Sequence, residues 1–175
     1  MVIHRRTLLK QLLFISASVT IIPSCLYHEK KTGLVLKHFK VSTDQEATFS
    51  ALFDTILPDT DTPGALKVKA DLFAWKILDD CSSTSDQEII LKGLNELNTF
   101  SLANYNIFFY KLTRLQREKL IKEIEDKKDK SNLLLNFYQK AKGLAIYGFL
   151  NSEYFMTNVE LYEQIPGRFF GCVNI

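Results

Sequence analysis

The sequence predicts an all-α fold, a single bundle of about five helices with an irregular C-terminal tail. Apolar residues recur at i, i+3, i+4 and i+7 in successive stretches of the 175 residues, and helix-start signatures precede several of those stretches. No long alternating run or Asn-Gly hairpin competes with this periodicity, so strands are not expected. The chain divides into an address over 1–24, a polar tether over 25–42 and a helical body over 43–175.

The address comes first. His4-Arg5-Arg6-Thr7-Leu8-Leu9-Lys10 is followed by an apolar run from Leu12 to Ile22 and then by Pro23-Ser24-Cys25, the layout of an export signal. As a helix that run is about 16 Å long, at ~1.5 Å per residue, against a hydrocarbon core of roughly 30 Å. It is too short for a membrane span. Arg5, Arg6, Leu8, Leu9 and Lys10 resemble the twin-arginine motif that exports folded proteins, with Leu8 where Phe is usual; an ordinary secretory signal is the alternative. Ile22-Pro23-Ser24-Cys25 is similar to a lipobox, which makes Cys25 the expected lipidated first residue of the mature chain; a simple cleaved signal competes. The expected location is extracytoplasmic, in the periplasm or at the cell surface, held to a membrane by lipid. Leu26 to Lys40, with His28-Glu29-Lys30-Lys31, reads as a tether between lipid and body.

The body follows helix by helix. Thr43-Asp44-Gln45-Glu46 forms a capping box ahead of Phe49, Leu52, Phe53, Ile56 and Leu57 on one face, and Pro58 ends that helix. Thr62 with Pro63 predicts a second helix start, running through Leu72, Phe73, Trp75 and Leu78 towards Cys81. Ser85-Asp86-Gln87-Glu88 opens a third, with Ile90, Leu94 and Leu97 inward. A fourth starts at Thr113 with Gln116 as its partner and buries Leu120, Ile121 and Ile124. The fifth spans about Ser131 to Phe149 and carries Leu134, Phe137, Tyr138, Ala141, Ala145 and Gly148 as a stripe. Glu153 to Ile175, with Pro166-Gly167, is expected to be irregular.

Composition narrows the function. All three histidines lie within the first 38 residues, so the body has no imidazole for acid–base work or metal ligation. Seven glycines form neither a dinucleotide fingerprint nor a phosphate loop, and there is no Cys-x-x-Cys. The net charge of +2 resides in the leader: past residue 24 the balance is 19 basic to 20 acidic residues, which is no footprint for nucleic acid. No catalytic residue, cofactor ligand or metal ligand is expected in this chain.

Three local features invite sharper readings. Asp59-Thr60-Asp61-Thr62-Pro63-Gly64 matches a calcium loop at positions 1, 3 and 6, yet position 5 is Pro63 and position 12 is Ala70 where a bidentate Glu is needed. Lys127-Lys128-Asp129-Lys130 reads as a solvated turn between helices. Phe108, Phe109 and Tyr110 read as core, with more aromatic surface than one helix face can bury.

Three further blocks, in order, resemble the gluconate 2-dehydrogenase subunit 3 family. They are Ile56-Leu57-Pro58-Asp59-Thr60-Asp61-Thr62-Pro63-Gly64-Ala65, Gly148-Phe149-Leu150-Asn151-Ser152-Glu153 and Tyr162-Glu163-Gln164-Ile165-Pro166-Gly167-Arg168. Leu57 before Pro58, and Leu150-Asn151, depart from the family's usual residues. The resemblance implies a non-catalytic small subunit. Its implied partners are a large FAD-dependent dehydrogenase of the glucose-methanol-choline type, acting on a sugar, sugar acid or alcohol, and in some complexes a cytochrome c subunit with haem c. The small subunit would carry the flavoprotein through the twin-arginine translocase and anchor it. Two other classes stay open: an enzyme acting alone, and a solitary surface lipoprotein with an unrelated ligand.

On this reading the partner interface is Asp59, Thr60, Asp61, Thr62, Pro63 and Gly64 together with Gly148, Ser152, Glu153, Tyr162, Pro166 and Gly167. A plain helix start at Thr62 and Pro63 is the alternative for the first group. Cys81 and Cys172 are candidates for a disulfide in an oxidising compartment. Cys172 can bond to the partner or to Cys81, or both can stay thiols.

Overall fold

Most of the helices begin where a side chain can take up the first free backbone N–H groups, the one entered through Lys69 being an exception. The computed structural model describes residues 35–126, 132–160, 162, 163, 165 and 167. Helix α1 is Thr43–Ile56. Its cap is Ser42 rather than the expected Thr43: Ser42 Oγ accepts from Gln45 N at 3.2 Å, and Gln45 Oε1 accepts from Ser42 N at 2.9 Å. Thr43 with Glu46 has the same spacing, but the bonds are made by Ser42 with Gln45, which puts Thr43 at the first helical position.

Helix α2, Ala70–Asp80, starts seven residues later than the Thr62–Pro63 signal predicts. The reason lies in residues 58–65, which are tied back onto the end of α1. Asp59 Oδ1 accepts from Gly64 N at 2.9 Å, Ala65 N donates to Leu57 O at 2.8 Å, and Thr60 N donates to Thr62 O at 3.0 Å. Those bonds occupy the groups that a helix starting at Pro63 would use. The chain then turns over 65–69 and enters α2 through Lys69, whose φ of 59° is left-handed.

Helix α3, Thr84–Tyr105, is capped by Ser83, two residues before the predicted box. Ser83 Oγ accepts from Asp86 N, while Gln87, expected as part of the cap, donates to Leu78 O and fastens α2 to α3. A 3-10 turn at Phe109–Lys111 follows, with Phe109 fully buried as expected and Phe108 and Tyr110 half-buried and stacked 5.9 Å apart. Helix α4, Arg114–Glu125, opens with the predicted pair, Gln116 Oε1 accepting from Thr113 N and Oγ1, and buries Leu120, Ile121 and Ile124.

Helix α5, Leu133–Leu150, buries the entire predicted stripe. It is the axis of the bundle, packing against α1, α2, α3 and α4. Two glycines allow the closest approaches: a Cβ at Gly93 of α3 would lie 2.1 Å from the Phe137 ring, and one at Gly148 would lie 2.9 Å from Ala70 O. A short helix α6, Glu153–Asn158, lies in the segment expected to be irregular, capped by Ser152 and carried against α5 by rings of Phe155 and Tyr154 on Phe149. All the described residues are helical or irregular, and the all-α prediction holds.

Residues 35–42 add a feature of another kind. Leu36, Phe39 and Val41 pack against the core, so the last part of the segment read as tether belongs to the folded body. No helix among the described residues is long and apolar enough to cross a membrane.

Candidate functional site

The first motif block is far in sequence from the other two, and packing brings it beside the second. The loop 58–65 leads through Ala65, whose carbonyl accepts from Ala70 N, into the first turn of α2. Ala70 touches Gly148 near the end of α5, and α6 with its trailing chain follows directly. Tyr162 N donates to Met156 O at 2.8 Å, which ties the third block to the second. Asp59, Thr60, Asp61, Thr62, Pro63 and Gly64 thus lie in the loop that leads to Ala70, which sits beside Gly148; Ser152 and Glu153 follow at the end of α5, and Tyr162 is tied to α6. No contact places Gly167 among them, and Pro166 lies outside the described residues.

Their roles differ. Gly64 is buried, and a Cβ there would meet Asp59 N at 2.5 Å, Pro58 C at 2.6 Å and Leu57 O at 2.7 Å, so the backbone fold requires glycine. Asp59 closes the loop: the Gly64 N–H, helped by Lys67 at 3.3 Å, holds its carboxyl below the usual carboxylate range. Ser152 is a buried helix cap. The residues that face solvent are Asp59, Thr60, Asp61, Thr62, Glu153, Tyr162 and Gly167.

The same segments carry exposed apolar side chains that the motifs alone do not announce. Leu66, Leu72, Tyr147, Leu150, Val159 and Tyr162 are each 40–57% exposed, and Ile165 is 87% exposed. Helical phase could have found Tyr147, which falls about 100° from the buried Gly148 at 3.6 residues per turn. Leu66 gave no such signal, because the sequence placed it inside a helix that starts later.

Other groupings lie elsewhere. A cavity of about 280 Å³ is lined by Leu78, Ser82, Asp86, Ile90, Lys140, Gly143 and Leu144, beside the far end of α2 and bridged by the Lys140–Asp86 ion pair. Among the described residues, His38, Asp79 and Asp80 bring ligand-type atoms within 4.8 Å of one another. The Asp79 oxygens accept from Lys37 N and His38 N, and Asp80 faces Lys37 Nζ at 3.6 Å, so these carboxylates already serve protein donors. Tyr138 donates to Glu125 at 2.7 Å, and burial together with that carboxylate pushes its hydroxyl up to about 12. Lys142 Nζ reaches the same Glu125 oxygen at 2.9 Å, which brackets α4 to α5.

Several sequence expectations fall outside the described residues: Arg5, Arg6, Leu8, Leu9, Lys10, Cys25, the Lys127 to Lys130 cluster and Cys172. Cys81 is exposed and unbonded.

These features define a small all-helical domain in which the first motif block packs beside the second. The model of the family described as Gluconate 2-dehydrogenase subunit 3 matches residues 43–167, and the chain belongs to that family. It is a subunit-3-like component of a multi-subunit dehydrogenase. No curated protein and no solved structure matches it.

Proposed function

We propose that the chain is the non-catalytic small subunit of an extracytoplasmic, FAD-dependent dehydrogenase of the glucose-methanol-choline type, oxidising a sugar, sugar acid or alcohol. It escorts the flavoprotein through the twin-arginine translocase and holds it at a membrane through lipidated Cys25. FAD belongs to the partner, haem c to a cytochrome subunit where one is present, and neither to this chain. The observation that supports the reading is the packing of the first motif block against the second, where Ala70 approaches Gly148 and Leu66, Leu72, Tyr147 and Leu150 on the adjoining segments are exposed. Exposed apolar side chains beside such a junction suit a surface that another protein covers.

Purification of the tagged full chain from its native host tests this. The expected product is a complex with a flavin-containing large subunit, bound to membranes. Replacing Arg5 and Arg6 by Lys should leave both subunits in the cytoplasm, and Cys25→Ala should move the complex to the soluble extracytoplasmic fraction. Recovery of the chain without any flavoprotein would refute the proposal, and unchanged export of the Lys-Lys variant would remove the escort role.

A further inference from the structure

Helix α2 ends on Asp79 and Asp80 with no basic residue in its last turn, an arrangement that the helix dipole disfavours. Asp79 is nevertheless almost fully buried, with its side chain 5% exposed. Its partners come from outside the helix. Oδ2 accepts from Lys37 N at 2.7 Å and Oδ1 from His38 N at 2.8 Å, two consecutive backbone donors held by one carboxylate, with His38 Nδ1 at 3.3 Å. Burial pushes this carboxyl up, and the two N–H bonds together with the His38 imidazole outweigh it, leaving it below the usual range.

Those bonds hold a stretch that is neither helix nor strand. Between Val35 and Ser42 the outward residues alternate with Leu36, Phe39 and Val41, which turn onto the core. Phe39 packs 6.1 Å from Trp75, whose ring lies 4.3 Å from Phe49, and Trp75 is fully buried. The helices themselves are closed by their own caps at Ser42, Ser83 and Ser152.

We propose that residues 35–41 form a detachable strap, latched by Asp79, which opens over Trp75 and Phe49 while the helices remain folded. It is a local unit of low stability on a more stable body. The strap joins the first 34 residues to the bundle, so tension applied through them meets the latch before it meets the helices. This inference stands whether or not the partner is a flavoprotein.

Hydrogen exchange of the full chain, followed by peptide mass analysis, tests it. In the wild type the peptide covering 35–41 should exchange ahead of α1, α3 and α5. Asp79→Asn keeps the shape but removes the charge, and should speed exchange in 35–41 by tenfold or more with the protection of those helices unchanged. Phe39→Ala, which leaves α2 untouched, should do the same and decides the matter if Asp79→Asn does not fold. Exchange of strap and helices rising together, or a strap rate unmoved in both variants, would overturn the proposal.

Discussion

Adding a single methyl group at Gly93 and at Gly143 should move stability in opposite directions. Both glycines lie inside long helices, where glycine costs about 0.8–1.0 kcal/mol relative to alanine. At Gly143 a Cβ meets nothing within 4 Å, so Gly143→Ala should recover that amount and raise the thermal midpoint by about 2–4 °C. At Gly93 the Cβ would fall 2.1 Å from Phe137 Cγ, 2.3 Å from its Cβ and 2.4 Å from its Cδ2. Phe137 is 1% exposed and has no free space into which to swing. Overpacking costs ~1–3 kcal/mol and sometimes more, and the displacement needed here belongs at or beyond the top of that range. After the propensity gain, a net loss of about 2 kcal/mol or more is expected, lowering the midpoint by ~4–8 °C. Thermal unfolding of the two variants beside the wild type, followed by circular dichroism at 222 nm, reads both signs. A Gly93→Ala protein as stable as the wild type would show that α3 and α5 are not packed through Gly93 and Phe137.

Three further outcomes follow from the loop and the bracket. Asp59→Ala should lower the thermal midpoint at pH 7 but have little effect near pH 2: a depressed carboxyl contributes stability above its unfolded value and loses it as pH falls through the folded one. Equal losses at both pH values would contradict the Asp59–Gly64 closure. Asp61→Lys, at an exposed site, should leave the midpoint within 1 °C or so and weaken binding of the large subunit at least tenfold, as read by co-purification yield or surface binding. Wild-type binding would remove the loop from the interface. Tyr138→Phe should cost ~1 kcal/mol by breaking the bond to Glu125; in the wild type the absorbance change of this one tyrosinate should appear only around pH 12.

What was legible in the sequence is what local chemistry decides. Thr113 and Gln116 and the stripe from Leu134 to Gly148 were readable because spacing alone fixes them, whereas of Phe108, Phe109 and Tyr110, read together as core, only Phe109 is fully buried. The start of α2 was not. Thr62-Pro63 is a sound helix signal by itself, and it loses to bonds that Asp59, Gly64 and Leu57 make across the loop, which no window of propensity weighs. Asp79 was invisible for a related reason, since its partners at Lys37 and His38 are 42 and 41 residues away. The motif blocks could be read one at a time, but their meeting at Ala70 and Gly148 is a product of helix packing.

The self-closed loop at 58–65 also bears on how fast a complex forms. Its backbone donors at Thr60, Gly64 and Ala65 are satisfied internally, and Gly64 is wedged against Leu57, Pro58 and Asp59. A partner arriving at Thr60, Asp61 and Thr62 therefore meets a surface already in its final shape and forfeits little chain entropy on contact. Association through such a surface is governed by the orientation of two rigid bodies rather than by a folding step, and substitutions at the three exposed residues should act on the lifetime of the complex more than on its rate of formation.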